Sequence, residues 1–175
     1  PILYITHTMD EILRLADSVA LMSKGQVRIF GPTLEVMNDK RAMALLPDKD
    51  FGSVLEGVVA STGNEYGLGI VEFGGGHIEV AAGNIHEGTR VRFKIPAQDV
   101  VLSKDETHTV ARNVFKGRIT DAIIHDHLAD VLLDIGIPLW ARITEQSYNE
   151  KQMKQGDTLF ATIKSVVASS QFYPV

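Results

Sequence analysis

The chain has 175 residues, 45% of them hydrophobic, a formal net charge of −5 and no cysteine. That length suits one large domain or several small ones, and the charge speaks against a strongly basic nucleic-acid footprint. The missing cysteine removes disulfides and thiolate metal sites and fits a reducing compartment; no apolar run nears the roughly 20 residues that cross a bilayer, and no signal peptide is visible.

The chain opens on Pro1-Ile2-Leu3-Tyr4-Ile5, an apolar run with no polar lead-in. Leu3 to Ile5 reads as a buried strand of a parallel sheet, and the start reads as a cut inside a domain. Thr8 and Glu11 have capping-box spacing, and Met9, Ile12, Leu13 and Ala16 share one helical face. Ser18 to Met22, a Lys24-Gly25 turn and Val27 to Phe30 predict a hairpin, and Gly31-Pro32-Thr33 starts a short helix through Met37. Pro47 to Asp50 reads as a polar linker that closes a first segment, residues 1–47. Its exposed apolar strand edges predict that a second copy of the chain holds it in place.

The remainder carries a weak internal repeat. Val54-Leu55-Glu56-Gly57 is similar to Val114-Phe115-Lys116-Gly117, and Gly88 to Ile95 is similar to Gly156 to Ile163. Val100 to Ser103 and Val166 to Ser169 end the two copies alike. Two units follow, 52–106 and 107–172. Both show period-two alternation: Phe115, Gly117 and Ile119 share a face, as do Ala129, Val131, Leu133 and Ile135, and Leu159, Ala161 and Ile163. Five short strands per unit predict small OB-like barrels, with a short helix within Thr144 to Met153 of the second. The expected fold class is mainly β: two OB-like five-stranded small barrels preceded by an α/β segment.

Ile5-Thr6-His7-Thr8-Met9-Asp10-Glu11, with Leu15-Ala16-Asp17-Ser18-Val19 and Lys24-Gly25-Gln26-Val27, resembles the end of an ABC ATPase domain. Thr109-Val110-Ala111-Arg112-Asn113-Val114-Phe115-Lys116-Gly117 resembles the opening of a Mop-type (TOBE) oxyanion domain, with Val110 where a serine is common. Leu139-Trp140-Ala141-Arg142-Ile143 and Ile163-Lys164-Ser165-Val166 extend the match. Taken together, the chain resembles the C-terminal part of the ATP-binding subunit of a molybdate ABC importer.

This resemblance implies that residues 1–47 are the remnant of an ABC ATPase domain. His7 then takes the place of the switch histidine, which contacts the γ-phosphate of ATP in the intact subunit. It also implies that Ala111, Arg112, Thr144, Ser147, Lys164 and Ser165 bind a molybdate or tungstate oxyanion, a tetrahedral dianion that accepts hydrogen bonds only. ATP and magnesium would be the cofactors of the intact subunit; the segment in hand needs none of its own. The implied partners are a second copy, forming a homodimer, and the transmembrane permease subunits. The implied location is cytoplasmic, peripheral on the inner face of the cell membrane through the permease. The intact subunit would be a molybdate-transporting ATPase. This sequence contains no G-x-x-x-x-G-K-[ST], signature motif or magnesium-holding acid, and so predicts no hydrolysis of its own. A region that only pairs subunits, with no ligand, is the alternative.

Three other patterns read as structure. Gly74-Gly75-Gly76 lies between strand-like runs and lacks a following Lys, which makes it a hairpin turn. His125-Asp126-His127 falls at a strand tip, where polar residues are expected, and no metal site is assigned. Arg90, Arg92 and Lys94 alternate with Val91, Phe93 and Ile95 as a solvated strand face, without the stacking aromatics of a nucleic-acid surface.

Overall fold

The computed structural model describes residues 2–63, 67–81, 85–105, 113–163 and 172–175. The chain is mainly β, as its alternation predicts. Helix α1 (Met9–Leu15) and the hairpin β1 (Ser18–Ser23) and β2 (Gln26–Pro32) come first, followed by α2 (Thr33–Asn38) and α3 (Lys40–Met43). The first half of the repeat contributes β3 (Gly52–Ser61), β4 (Leu68–Phe73), β5 (Gly76–Ala81), β6 (Arg90–Pro96) and β7 (Val100–Ser103). The second contributes β8 (Asn113–His125), β9 (Leu128–Asp134), β10 (Pro138–Thr144), α4 (Glu145–Glu150), β11 (Thr158–Ile163) and β12 (Phe172–Pro174).

The sheets do not follow the order of the chain. One runs β12-β6-β3-β4-β5 and the other β10-β9-β8-β11-β7. Each half therefore lends its last strand to the fourth strand of the other half. β7 pairs with β11, Leu102 opposite Ala161, and β12 pairs with β6, Phe172 opposite Phe93. The register makes Phe172 the counterpart of Leu102. The expected counterpart, Val166 to Ser169, lies outside the described residues. In the second sheet the outer strands β10 and β7 touch, so the sheet curls toward a barrel.

The repeat is legible in the backbone. Both first strands carry a bulge, β3 between Val59 and Ser61 and β8 between Ile119 and Asp121. Both carry a glycine two residues before the bulge. A Cβ on Gly57 would lie 2.5 Å from Glu72 O, and one on Gly117 would lie 2.7 Å from Ile135 Cγ2. The strand must pass its neighbour that closely to curl, and only glycine allows it. One core joins both halves, with Phe93, Ile95, Ile119, Leu133, Leu159 and Ile163 at its centre. The β4–β5 turn is Gly74-Gly75, as expected, and it packs on Ile135 and Ile137 of the β9–β10 turn.

The first segment departs from expectation in two ways. Leu3 to Ile5 form no strand; Leu3 is 92% and Ile5 89% exposed, and no described strand lies beside them to bond their backbone. The Thr8–Glu11 capping box is absent. Thr8 is the N-cap without a side-chain bond, Thr6 Oγ1 bonds Glu11 Oε2, and Thr8 N–H donates to Thr6 Oγ1 at 3.0 Å. Within the chain, the segment packs on the first sheet. Met9, Leu13, Val19, Ile29, Val36 and Met37 form one cluster with Val54, and Tyr173 of β12 packs against it.

Arg92 is not solvated. It is 7% exposed, because α1 lies over that face of β6. Its Nε and one terminal nitrogen donate to Glu56 Oε1 at 2.9 and 2.8 Å; the other donates to Leu13 O and Ala16 O at 3.2 and 2.8 Å. Lys94 is also largely covered and lies 3.4 Å from Asp50 Oδ1, so Arg90 alone of the three is freely exposed.

Candidate functional site

Among the predicted oxyanion residues, Thr144 and Ser147 lie where the structure is described. β10 ends at Thr144, which caps α4: its Oγ1 accepts from Ser147 N–H at 3.1 Å and lies 2.8 Å from Ser147 Oγ. Two hydroxyls are thus held together, exposed, at the start of a short helix. Ala111, Arg112, Lys164 and Ser165 lie outside the described residues. Their neighbours Asn113 and Ile163 face each other, where β8 begins and β11 ends. Thr144 stands at the opposite end of the strands, opposite Leu128 beside His125. Within the described part, the hydroxyl pair and the Asn113–Ile163 end are not brought into one cluster. His7 is exposed, on the two-residue lead into α1.

Asn113 fixes the strand end at which the Ala-Arg-Asn motif enters the sheet. It is 2% exposed; its Oδ1 accepts from Glu79 N–H at 2.7 Å and its Nδ2 donates to Glu79 O at 2.9 Å. A side-chain amide matches one donor and one acceptor of a neighbouring backbone, which explains the asparagine at this position. Ser53 is its counterpart in the first half, opposite Ile95 as Asn113 is opposite Ile163. Ser53 Oγ accepts from Trp140 N–H of β10 at 2.7 Å. Each half is therefore anchored to the third strand of the other.

Sequence reasoning missed the network around Arg142. Arg142 Nε and a terminal nitrogen donate to both oxygens of Asp130, at 2.7 and 2.9 Å, and its other terminal nitrogen donates to Asp48 at 2.9 Å. His125 Nε2 lies 2.7 Å from Asp130 Oδ2, and the Arg142 guanidinium lies 4.2 Å over the Phe51 ring. The Asp130 hydrogen bond raises the His125 pKa above its usual value, against opposing effects from desolvation and Arg142. Arg142 is raised too, first by Asp130. Asp130 and Asp48 thereby hold three of the five N–H donors of Arg142. The network ties the Asp48–Asp50 turn to the second sheet. Its signal in the sequence was an acid on β9 and an arginine on β10 that pair across the sheet, Asp130 opposite Arg142. Among the described residues no group of three or more His, Asp or Glu is placed to hold a metal ion.

Two five-stranded antiparallel sheets with exchanged strands, an Asn-anchored strand end and a capped hydroxyl pair describe an accessory β domain. The sequence matches the TOBE domain family model over residues 109–167. Over nearly its whole length it is a homologue of the molybdenum import ATP-binding proteins ModC. It is 37% identical to that of Pseudomonas aeruginosa over 172 residues, 95% of this chain and 47% of the relative. It is 36% identical to that of Yersinia pestis over 177 residues, 100% of this chain and 49% of the relative. The chain thus spans about half the length of the curated relatives it matches. Among solved structures, the cytoplasmic molybdate-binding protein ModG in its molybdate-bound form shares the fold. The TM-score is 0.57 at 21% identity, covering 69% of this chain and 92% of that one. No helix among the described residues is long and apolar enough to cross a membrane.

Proposed function

We propose that this chain is the regulatory and subunit-pairing region of the ATP-binding subunit of a molybdate (tungstate) importer, and that its second half binds cytoplasmic oxyanion. The observation that carries the reading is the homology to molybdenum import ATP-binding proteins along 95% or more of the chain, through both halves of the repeat. The TOBE domain over 109–167 contains Ala111, Arg112, Thr144, Ser147, Lys164 and Ser165. These supply two cations, three hydroxyls and backbone N–H groups to an acceptor-only dianion. The Thr144–Ser147 pair stands at the opposite end of the strands from Asn113 and Ile163, the described sequence neighbours of Arg112 and Lys164, which supports a site completed by a second copy, one chain bringing Arg112 and Lys164 and the other the Thr144–Ser147 pair. Residues 1–47 are the end of the ATPase domain. In the intact subunit His7 contacts the γ-phosphate of magnesium-bound ATP, and the subunit sits on the inner face of the membrane through the permease.

Isothermal titration of sodium molybdate into the chain tests this. Saturable binding that Arg112→Ala weakens supports it. No binding to the dimeric chain overturns it and leaves a region that only pairs subunits.

A further inference from the structure

The β1–β2 hairpin and α3 bring three cations together in the first segment. Ser23 and Gln26 close a two-residue turn in which Lys24 and Gly25 both take the left-handed conformation, at φ 51° and 73°. Such turns favour asparagine, aspartate or glycine at the first position, and here a lysine occupies it. Leu21 stands opposite Ile29 and Met22 opposite Val27, so Arg28 is the extra residue of a bulge. A bulge takes a side chain out of the alternation of its strand and re-aims it. Arg41 arrives from α3, where Asp39 fixes its guanidinium: Nε donates to that carboxylate at 3.0 Å and one terminal nitrogen at 2.6 Å. All three side chains border one open cavity of about 380 Å³, whose wall Ser23, Ile29 and Leu45 complete. No carboxylate among the described residues lines it. Lys24 and Arg28 have no hydrogen-bond or ion-pair partner among the described residues, and no such bond uses the other terminal nitrogen of Arg41.

We propose that this cavity binds a phosphate-bearing ligand of at least two negative charges, its phosphoryl oxygens held by Lys24, Arg28 and Arg41 and any organic body resting against Ile29 and Leu45. None of these residues is among the six predicted to bind oxyanion, so the site stands or falls apart from that reading. Two guanidinium groups and an ammonium come to the cavity from a strand, a helix and a turn. That suits an anion with oxygens on several sides; a carboxylate presents one edge. The three cations repel one another while the cavity holds no anion, and a bound anion relieves that repulsion. Because the cavity is open to solvent, the attraction weakens as salt is added.

Amide NMR shifts of the whole chain, titrated with sodium pyrophosphate at low salt, test the site. Pyrophosphate should shift the amides of residues 23–26 and 41–45 along saturable curves. Lys24→Asn and Arg28→Gln should each weaken binding about tenfold. Arg112→Ala should leave it unchanged, as should Lys116→Gln, which removes an exposed cation from β8. Lys24→Asn introduces a residue that the turn favours, so its urea midpoint should not fall and a loss of binding is not a loss of fold. A soluble compound and a lipid headgroup both offer phosphate, and sedimentation with vesicles separates them. Cosedimentation with vesicles containing phosphatidic acid, lost in Arg28→Gln, supports the site with lipid as the source. No cosedimentation beside intact pyrophosphate shifts supports it with a soluble ligand. An absence of saturable shifts at these amides overturns the site. Equal weakening by Lys116→Gln overturns it in favour of net charge alone. Loss of pyrophosphate binding in Arg112→Ala puts the anion in the predicted oxyanion cradle and overturns it as well.

Discussion

At the corner where β3 begins, the first half of the repeat has Phe51, Gly52 and Ser53; where β8 begins, the second has Ala111, Arg112 and Asn113. After β6 come Ala97 and its neighbours, whereas after β11 come Lys164 and Ser165. In the first half these positions form a small core. Phe51, Ala97, Trp140 and Met43 pack together, the Phe51 and Trp140 rings 5.5 Å apart. The counterpart of Arg112 is Gly52, where a Cβ would stand 2.3 Å from Ile95 O and 2.9 Å from Pro96 Cα. No cation could be carried there without moving backbone. One plan thus serves two ends: the repeat constrains glycines, bulges and anchors, and leaves the strand-end residues free to become a plug in the first half and, in the function proposed above, an anion cradle in the second.

The largest expected effect breaks the plug. Trp140 is fully buried, and Trp140→Ala should cost about 3–5 kcal/mol of unfolding free energy, read from urea midpoints. Trp140 Nε1 has no hydrogen-bond partner among the described residues, so Trp140→Phe, which removes that buried donor, should cost far less. Equal losses for the two variants would show that ring volume is not what fills the corner. Next comes the cradle. Arg112→Ala should weaken molybdate binding tenfold to a hundredfold, about 1.4–2.8 kcal/mol, while the exposed Arg90→Ala leaves it unchanged. Equal effects would dissolve the distinction between the two corners. Arg92, which sequence alternation alone would offer as that control, is unsuitable because it is buried.

Much of the contrast was legible from residues. Ala129, Val131, Leu133 and Ile135 alternate because one face of β9 is core, and all four are buried. The strand exchange was not legible. A terminal strand such as Val100 to Ser103 can lie beside either β6 or β11, since the repeat makes both edges similar, and only the three-dimensional path decides. Arg92 was misread because alternation identifies the face opposite the core, not what covers that face; here α1 does. Leu3 to Ile5 were misread because composition suggests a strand without supplying its partner. Of the site, Thr144 and Ser147 are where a short helix was expected, and the Arg142–Asp130 pair was invisible because its meaning lies in cross-strand register.

A smaller effect concerns Thr144, whose hydroxyl caps α4 whether or not it also binds anion. Thr144→Ala should cost about 1 kcal/mol and weaken molybdate binding, and Thr144→Ser should restore both. A loss of stability with unchanged affinity would leave Thr144 a cap and nothing more.

The smallest effect is a pH dependence confined to the second half. His125 sits beside Asp130, whose hydrogen bond raises its pKa in the folded chain, with a weaker contribution from Asp126; burial and Arg142 act the other way. A histidine raised on folding binds its proton more tightly in the folded state, so it stabilises the protein when protonated. That contribution is complete below the unfolded value of 6.5 and is lost as pH rises through the folded value. The effect is modest, since the imidazole is partly exposed and Asp130 keeps its two bonds from Arg142 when His125 is neutral. Urea midpoints for the wild-type chain should therefore fall from pH 6 toward alkaline pH by more than those of His125→Gln, and the two curves should meet once His125 has lost its proton. The first half has no histidine at the corresponding β3–β4 connection, residues 62–67, so no matching slope is expected from it. Parallel curves across the whole range would show that the His125–Asp130 contact contributes no net stability, and would leave Arg142 as the sole partner that matters to the buried carboxylate.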